Sequence, residues 1–309
     1  MRHVLIDCDP GHDDALAIMT ALAHPEEMSI LGITTVGGNQ TLQKVTKNAG
    51  NLLGFLHAKV PLASGQAQPL VKELMPAPEA HGDSGMDGPS FSGVDYPLTS
   101  DQGVRFLYEM IMACPDKVAI AALAPLTNLA LLLKVFPEVR EKIECISMMG
   151  GGISHGNCTE LAEFNIYVDP EAAQIVLTSG IPVIMAGLDV TEKAVITVEE
   201  IESLKGKGRV SQLAYELLHF YHETGKQFGF RDSPLHDLCA VAWLLRPELF
   251  SGTAQNVQVV TDDGKARGLT FADKRLSCVK EKPVLVLDQA DRKGVVELLI
   301  HALEVLDQQ

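Results

Sequence analysis

The sequence predicts an α/β fold: an open, mostly parallel, Rossmann-like sheet with helices on both faces, plus extra helices covering the site at its strand ends. Three observations carry this reading. β-Branched apolar runs alternate with segments of helical period, the rhythm that builds parallel sheets. Apolar residues make up 46% and charged residues 21% of the 309, the balance of a chain that buries a core. Glycine or polar residues follow four of the strand candidates, where an open parallel sheet binds its ligands.

The elements follow in order. The run 3–7 reads as a buried strand, and the alanine-rich segment 12–23 as the first helix. Residues 29–36 repeat the strand signal and 41–57 the helical one. Further strand candidates are 59–64, 117–122, 143–149, 181–186, 256–260, 268–272 and 283–287. Helical spacing covers 101–113, 126–135, 169–179, 197–205, 210–228, 235–245 and 291–306. The stretch 65–100, rich in Pro, Gly, Ala and Ser, is the least regular, and so long a loop in a compact domain is usually functional or mobile. Neither a linker nor an internal repeat divides the chain, so 1–309 reads as a single domain.

A formal net charge of −15 repels phosphate backbones and anionic lipid, so nucleic acid and membrane are not expected partners. The N-terminal apolar run is short and ends at Asp7, unlike a signal peptide or anchor. No later run reaches the roughly 18 apolar residues of a spanning helix. Together these point to the cytoplasm. Cys8, Cys114, Cys145, Cys158, Cys239 and Cys278 are scattered, with no C-x-x-C pair, and read as free thiols.

The first strand runs into Asp7-Cys8-Asp9-Pro10-Gly11-His12-Asp13-Asp14. Pro10-Gly11 turns the chain, and Asp13 and Asp14 fall in the first turn of the next helix. Carboxylates are favoured there by the helix dipole and free N–H groups, which accounts for one or two of the four. It does not account for Asp9 at the strand tip. Carboxylates this crowded repel one another unless a cation or protons neutralise them, and all-oxygen ligands suit Ca²⁺ or Mg²⁺. A second carboxylate, Asp237 in His236-Asp237, opens a strongly apolar helix and reads as a possible cap. A third polar group holds Asn157, Glu163, Asn165 and Asp169. Asp169-Pro170 has the form of an N-cap followed by proline at the first helical position. Glu163 and Asn165 alternate with Phe164 and Ile166, which predicts one polar face of an extended segment. Gly150-Gly151-Gly152 follows the strand 143–149 and suggests close backbone approach to a ligand. His12, His24, His57, His155, His219 and His301 read as surface or core histidines.

These motifs, with Thr35-Val36-Gly37-Gly38-Asn39-Gln40-Thr41, His81-Gly82, Pro125-Leu126-Thr127-Asn128 and Ala162-Glu163-Phe164-Asn165-Ile166, occur in one order from residue 4 to about 250. In this the chain resembles the inosine–uridine-preferring nucleoside hydrolases, especially the broad-specificity bacterial ribonucleoside hydrolases. The resemblance implies hydrolysis of the N-glycosidic bond of ribonucleosides, with Ca²⁺ held by Asp9, Asp14, Asp237 and the backbone carbonyl of Leu123. Some members have Thr at that last position, a change that a backbone ligand tolerates. It implies ribose contacts from Asp13, Asn39, Asn165 and Asp237 for the 2′ and 3′ hydroxyls, and from Asn157 and Glu163 for the 5′ hydroxyl. Met149 would lie under the sugar. His81 and His236 would stand near the base, with Asp9 as general base and His236 as acid. The helix at 210–230 and the loop 227–233 would cover the base, where members differ most. A homodimer or homotetramer is implied as well.

Two other readings fit parts of the pattern. Haloacid-dehalogenase-like phosphatases also follow a strand with Asp-x-Asp, but with a small residue and Thr after it, where this chain has Pro10-Gly11. A non-catalytic calcium- or nucleoside-binding protein would keep the ribose contacts without needing Asp9 and His236 together.

Overall fold

The computed structural model describes residues 1–91, 95–272 and 284–309. Its first half repeats strand and helix: β1 (Arg2–Cys8), α1 (His12–Leu22), β2 (Met28–Thr35), α2 (Leu42–Phe55), β3 (Leu62–Ser64), the single turn α3 (Pro78–His81), α4 (Gly103–Ala113), β4 (Val118–Ala122), α5 (Thr127–Val135) and β5 (Ile143–Met149). Then come α6 (Phe164–Val168), α7 (Pro170–Leu177), β6 (Val183–Ala186), α8 (Leu188–Thr191), β7 (Val195–Ile196), α9 (Val198–Glu202) and α10 (Arg209–Gly225). The chain closes with β8 (Ser233–Pro234), α11 (His236–Leu245), β9 (Phe250–Gln255), β10 (Val257–Val259), β11 (Thr270–Ala272), β12 (Val284–Ala290) and α12 (Arg292–Asp307).

Eight strands form the main sheet in the order β3-β2-β1-β4-β5-β6-β12-β9. Seven run parallel, and β9 pairs antiparallel with β12 as an edge. Both faces are covered, as a parallel sheet requires. Along β1, Val4, Ile6 and Cys8 pack into one core with α1, α2, α10, α11 and α12. Leu5 points the other way, into a core with α4, α5 and α7. Strand order reverses at β1 and β4, so the crevice beyond their carboxyl ends is where this topology places a ligand.

Two expectations need correction, and one strand has no counterpart among the candidates. The candidate at 256–260 does not enter the main sheet: β10 pairs with β11 in a separate two-stranded ribbon. The edge place belongs to β9, whose exposed Ser251, Gly252, Thr253 and Ala254 carry no apolar strand signal. Residues 164–168 are helical rather than extended, because the Glu163 side chain caps them by accepting from the N–H groups of Asn165 and Ile166. Of the cysteines, Cys8, Cys114, Cys145, Cys158 and Cys239 are free, while Cys278 and residue 283 of a strand candidate lie outside the described residues. No described helix is long and apolar enough to cross a membrane.

Candidate active site

The carboxyl end of β1 delivers Asp9, and the turn at Pro10 and Gly11 starts α1 with Asp13 and Asp14 in its first turn. Asp14 partly serves as a helix cap: its Oδ2 accepts from the N–H of Gly11 at 2.9 Å, and its Oδ1 from that of Asp9 at 3.2 Å. Asp9 is gripped from β2's end, where the Asn39 N–H donates to Oδ2 at 2.7 Å and the Asn39 amide donates to the Asp9 carbonyl at 3.2 Å. That approach explains Gly38, since a Cβ there would lie 2.0 Å from Asp9 Oδ2. Asp7 points away from the site and accepts from Thr34 and Asn128. Burial raises its carboxyl to about 6, against those two hydrogen bonds. Its task is to tie β1 to β2 and α5.

Asp237 arrives from the far end of the chain. It is not the cap of α11, whose capping position is Leu235; it sits in the first turn and faces α1. One oxygen from each of Asp13, Asp14 and Asp237 lies within 4.8 Å of the others, and all three residues are buried. Asp9 lies beside this trio, close enough that its charge raises Asp237. Burial, then the neighbouring carboxylates, push Asp9 and Asp237 well above the usual range. Asp14 rises to about 7, chiefly by burial and then by Asp13. Oδ1 of Asp9 and Oδ1 of Asp13 are buried with no hydrogen-bond partner among the described residues. Buried oxygens left unpaired are costly, and a hard cation with bound hydroxyls is the partner they suit.

The next strand ends complete the wall. The Leu123 carbonyl, just past β4, accepts from the Asn165 amide at 3.1 Å. The same amide contacts the Met149 carbonyl at 3.3 Å, at the end of β5. Glu163 fastens this corner, with Oε1 accepting from Asn165 and Oε2 from Gly151 at 2.8 Å. The triple glycine therefore presents N–H groups to Glu163 and Thr270, not to a ligand as the sequence suggested. Asp169 does cap α7, and it also accepts from Leu70 and Thr127, pinning the loop at Leu70 to the starts of α5 and α7.

Asp13, Asn39, His81, Leu123, Met149, Asn157, Glu163, Asn165, His236 and Asp237 all line one cavity of about 640 Å³. Asp9 and Asp14 do not line it, but both are bonded to Asn39, which does. No Lys or Arg is among the described lining residues, so the acidic floor has no side-chain counterion. Burial pushes both His81 and His236 below the usual histidine range, against the charge of Asp13. His236 Nδ1 lies 2.8 Å from Thr191 Oγ1.

The upper wall comes from the segment expected to cover the base: Tyr221 and Thr224 from α10, followed by Phe228 and Phe230, with Tyr221 and Thr224 not singled out by the sequence. Tyr221 is masked in sequence because it sits in an ordinary amphipathic helix. His155 also lines the cavity, paired with Glu192 at 3.0 Å, and is neither a plain surface nor a core histidine. The proximity of Gly152-Ile153-Ser154 to α8 gave no sequence signal for that pair.

The sequence match agrees with this arrangement. Residues 4–297 fit the model of the inosine-uridine preferring nucleoside hydrolases. The chain belongs to that family. The pyrimidine-specific ribonucleoside hydrolase RihA of Escherichia coli strain K12 is 44% identical over 305 residues, covering 97% of this chain and 98% of that one. The counterpart of Citrobacter koseri is also 44% identical, over 97% of each chain. Among solved structures, a plant nucleoside hydrolase superposes with a TM-score of 0.91 at 31% identity, covering 98% of each chain. The purine-preferring ribonucleoside hydrolase of Gardnerella vaginalis superposes at 0.93 with 27% identity over all of both chains. This nucleoside hydrolase is thus an N-ribosyl hydrolase, and the phosphatase reading falls.

Proposed function

We propose that this cavity hydrolyses ribonucleosides, pyrimidine ribosides first, to free base and ribose, with calcium held by Asp9, Asp14, Asp237 and the Leu123 carbonyl. The observation that carries this reading is the convergence of buried carboxylates, two of them with an unengaged oxygen, beneath a cavity without cationic side chains. The 44% identity to hydrolases named pyrimidine-specific supports the choice of base.

Calcium bound there supplies Lewis-acid polarisation of the attacking water and a template for two vicinal hydroxyls. Asp9 receives the water's proton through Oδ1, the oxygen that Asn39 leaves free. Asp13 takes a ribose hydroxyl through its own unengaged Oδ1. Asn39, Asn165 and Asp237 complete the grip on the 2′ and 3′ positions, while Asn157 and Glu163 hold the 5′ hydroxyl. Met149 supports the ring from below. As the bond breaks, positive charge grows on the sugar, and the carboxylates stabilise it. His236 delivers a proton to the departing base, with Thr191 orienting its ring. Water attacks directly, so displacement is single and the anomeric centre inverts. A cytoplasmic homodimer or homotetramer fits this reading.

The test is a panel of uridine, cytidine, inosine, adenosine and xanthosine, each with its 2′-deoxy counterpart, assayed with Ca²⁺. Uridine and cytidine should release free base. The deoxyribosides should be slower by about 10⁴-fold, because a site built around a hydroxyl is left unpaired without it. No free base from any ribonucleoside would favour the non-catalytic binding reading, and equal rates on ribosides and deoxyribosides would contradict the proposed ribose site.

A further inference from the structure

His12 takes no part in the reaction described above, yet it is 0% exposed and every polar atom of its ring is used. Its Nε2 lies 2.7 Å from the Asp87 carbonyl, and its Nδ1 lies 3.2 Å from His81 Nδ1. A carbonyl oxygen only accepts, so His12 Nε2 must carry a proton. A neutral imidazole carries one ring proton, and in His12 that proton sits on Nε2, facing the Asp87 carbonyl. His12 Nδ1 is then a bare acceptor, and the proton between the rings belongs to His81 Nδ1. His81 Nε2 is left with a lone pair, and no hydrogen bond reaches it among the described residues.

The chain of bonds is held at both ends. Asp87 is fixed by its own carboxylate, which accepts from the N–H groups of Asp83 and Ser84 at 3.0 and 3.1 Å, while its N–H donates to the His81 carbonyl at 3.3 Å. The loop thus presents the Asp87 carbonyl at a set position. The rings are stacked as well: His12 on Phe220 with centroids 5.0 Å apart, and His12 and His81 each on Tyr221 at 5.7 and 5.8 Å. Gly11 leaves the space His81 needs, since a Cβ there would lie 2.6 Å from its Nδ1.

We infer that His12 is a positioning residue, which passes the polarity of the Asp87 carbonyl to His81 and fixes His81 in the tautomer whose Nε2 accepts a hydrogen bond from the cavity. The group it receives is an N–H or N–H₂ donor on the edge of the base, an assignment that rests on the nucleoside hydrolase reading. His81 then reads the base, and the proton that the leaving base needs comes from another group. The tautomer itself depends on no substrate.

Long-range ¹H–¹⁵N correlation spectra of the full chain with ¹⁵N-labelled histidine, assigned by His81→Asn, read this tautomer directly. Wild-type His81 should show a protonated Nδ1 and an unprotonated, pyridine-like Nε2. His12→Phe keeps the stacked ring but removes both hydrogen bonds. His81 should then shift toward the Nε2–H form, with kcat/KM on uridine falling about tenfold, the size of one hydrogen bond. His12→Asn places an amide oxygen near the lost Nδ1 and should restore both the tautomer and most of the rate. A wild-type His81 protonated at Nε2, or a folded His12→Phe with unchanged His81 resonances, would overturn the inference. Either result leaves the release of free base by the wild-type protein untouched, so the two readings fail separately.

Discussion

The floor and the roof of the cavity are built differently. The floor carboxylates are buried and stand just after β1 or in the first turn of α11; the Asn39 N–H beyond β2 holds Asp9, and the N–H groups of Asp9 and Gly11 hold Asp14. The roof comes from α10 and the segment after it, where Phe228 is 53% exposed and residues 226–232 make few bonds to the sheet. The difference matches two tasks. Charge stabilisation and water activation need groups fixed in advance, whereas a cover over the base must let substrate in and can vary with the base it reads. On the proposed reading, chemistry belongs to the floor, and base preference to the roof together with His81.

The largest effect that could break this division is at Asp9. Asp9→Ala should lower kcat on uridine by about 10²–10⁴-fold, the range of a lost general base, while circular dichroism and the unfolding profile remain those of a folded chain. Near wild-type turnover would remove Asp9 from the reaction.

A second, intermediate effect concerns pH. Without metal, Asp14 is raised from 3.8 to about 7, and Asp9 and Asp237 are raised too, all chiefly by burial. A carboxyl raised on folding binds protons more tightly in the native state, so its contribution to stability is present below about 4 and is lost as pH rises through about 7. Metal replaces those protons. The rise in Tm on adding Ca²⁺ should therefore be larger at pH 8 than at pH 5. Equal shifts at the two pH values would mean that the floor carboxylates are not the ligands.

The smallest effect lies on the roof. Phe228→Ala should change stability by no more than about 0.5 kcal/mol, as exposed sites do, and raise KM for uridine less than about tenfold with kcat unchanged. A large fall in kcat would mean that the roof takes part in the chemistry.

The same division explains what was legible in the sequence. Asp9, Asp13 and Asp14 stand out because eight residues hold more carboxylates than a helix terminus explains, Asn39 and Leu123 lie just past strand ends, and Met149 is marked only by the family resemblance. Glu163 was misread because apolar alternation over four residues fits either an extended strand or a capped turn of helix, and the cap depends on backbone N–H groups that sequence does not display. The edge strand β9 carries no strand signal because Ser251, Gly252, Thr253 and Ala254 are all exposed, so neither side of it needs apolar residues. Tyr221, Thr191 and the His155–Glu192 pair matter through contacts between distant segments, which leave no local pattern. His12 looked ordinary for the same reason: its partners lie 69 and 75 residues away.

Calcium occupancy measured against turnover tests the central claim most directly. Protein stripped with a chelator should be inactive on uridine, calorimetric titration should show one Ca²⁺ per chain, and base release should return in proportion to the sites filled, with Asp14→Asn losing both. Full turnover by the stripped protein, or calcium binding unchanged in Asp14→Asn, would contradict a reaction organised by the acidic floor.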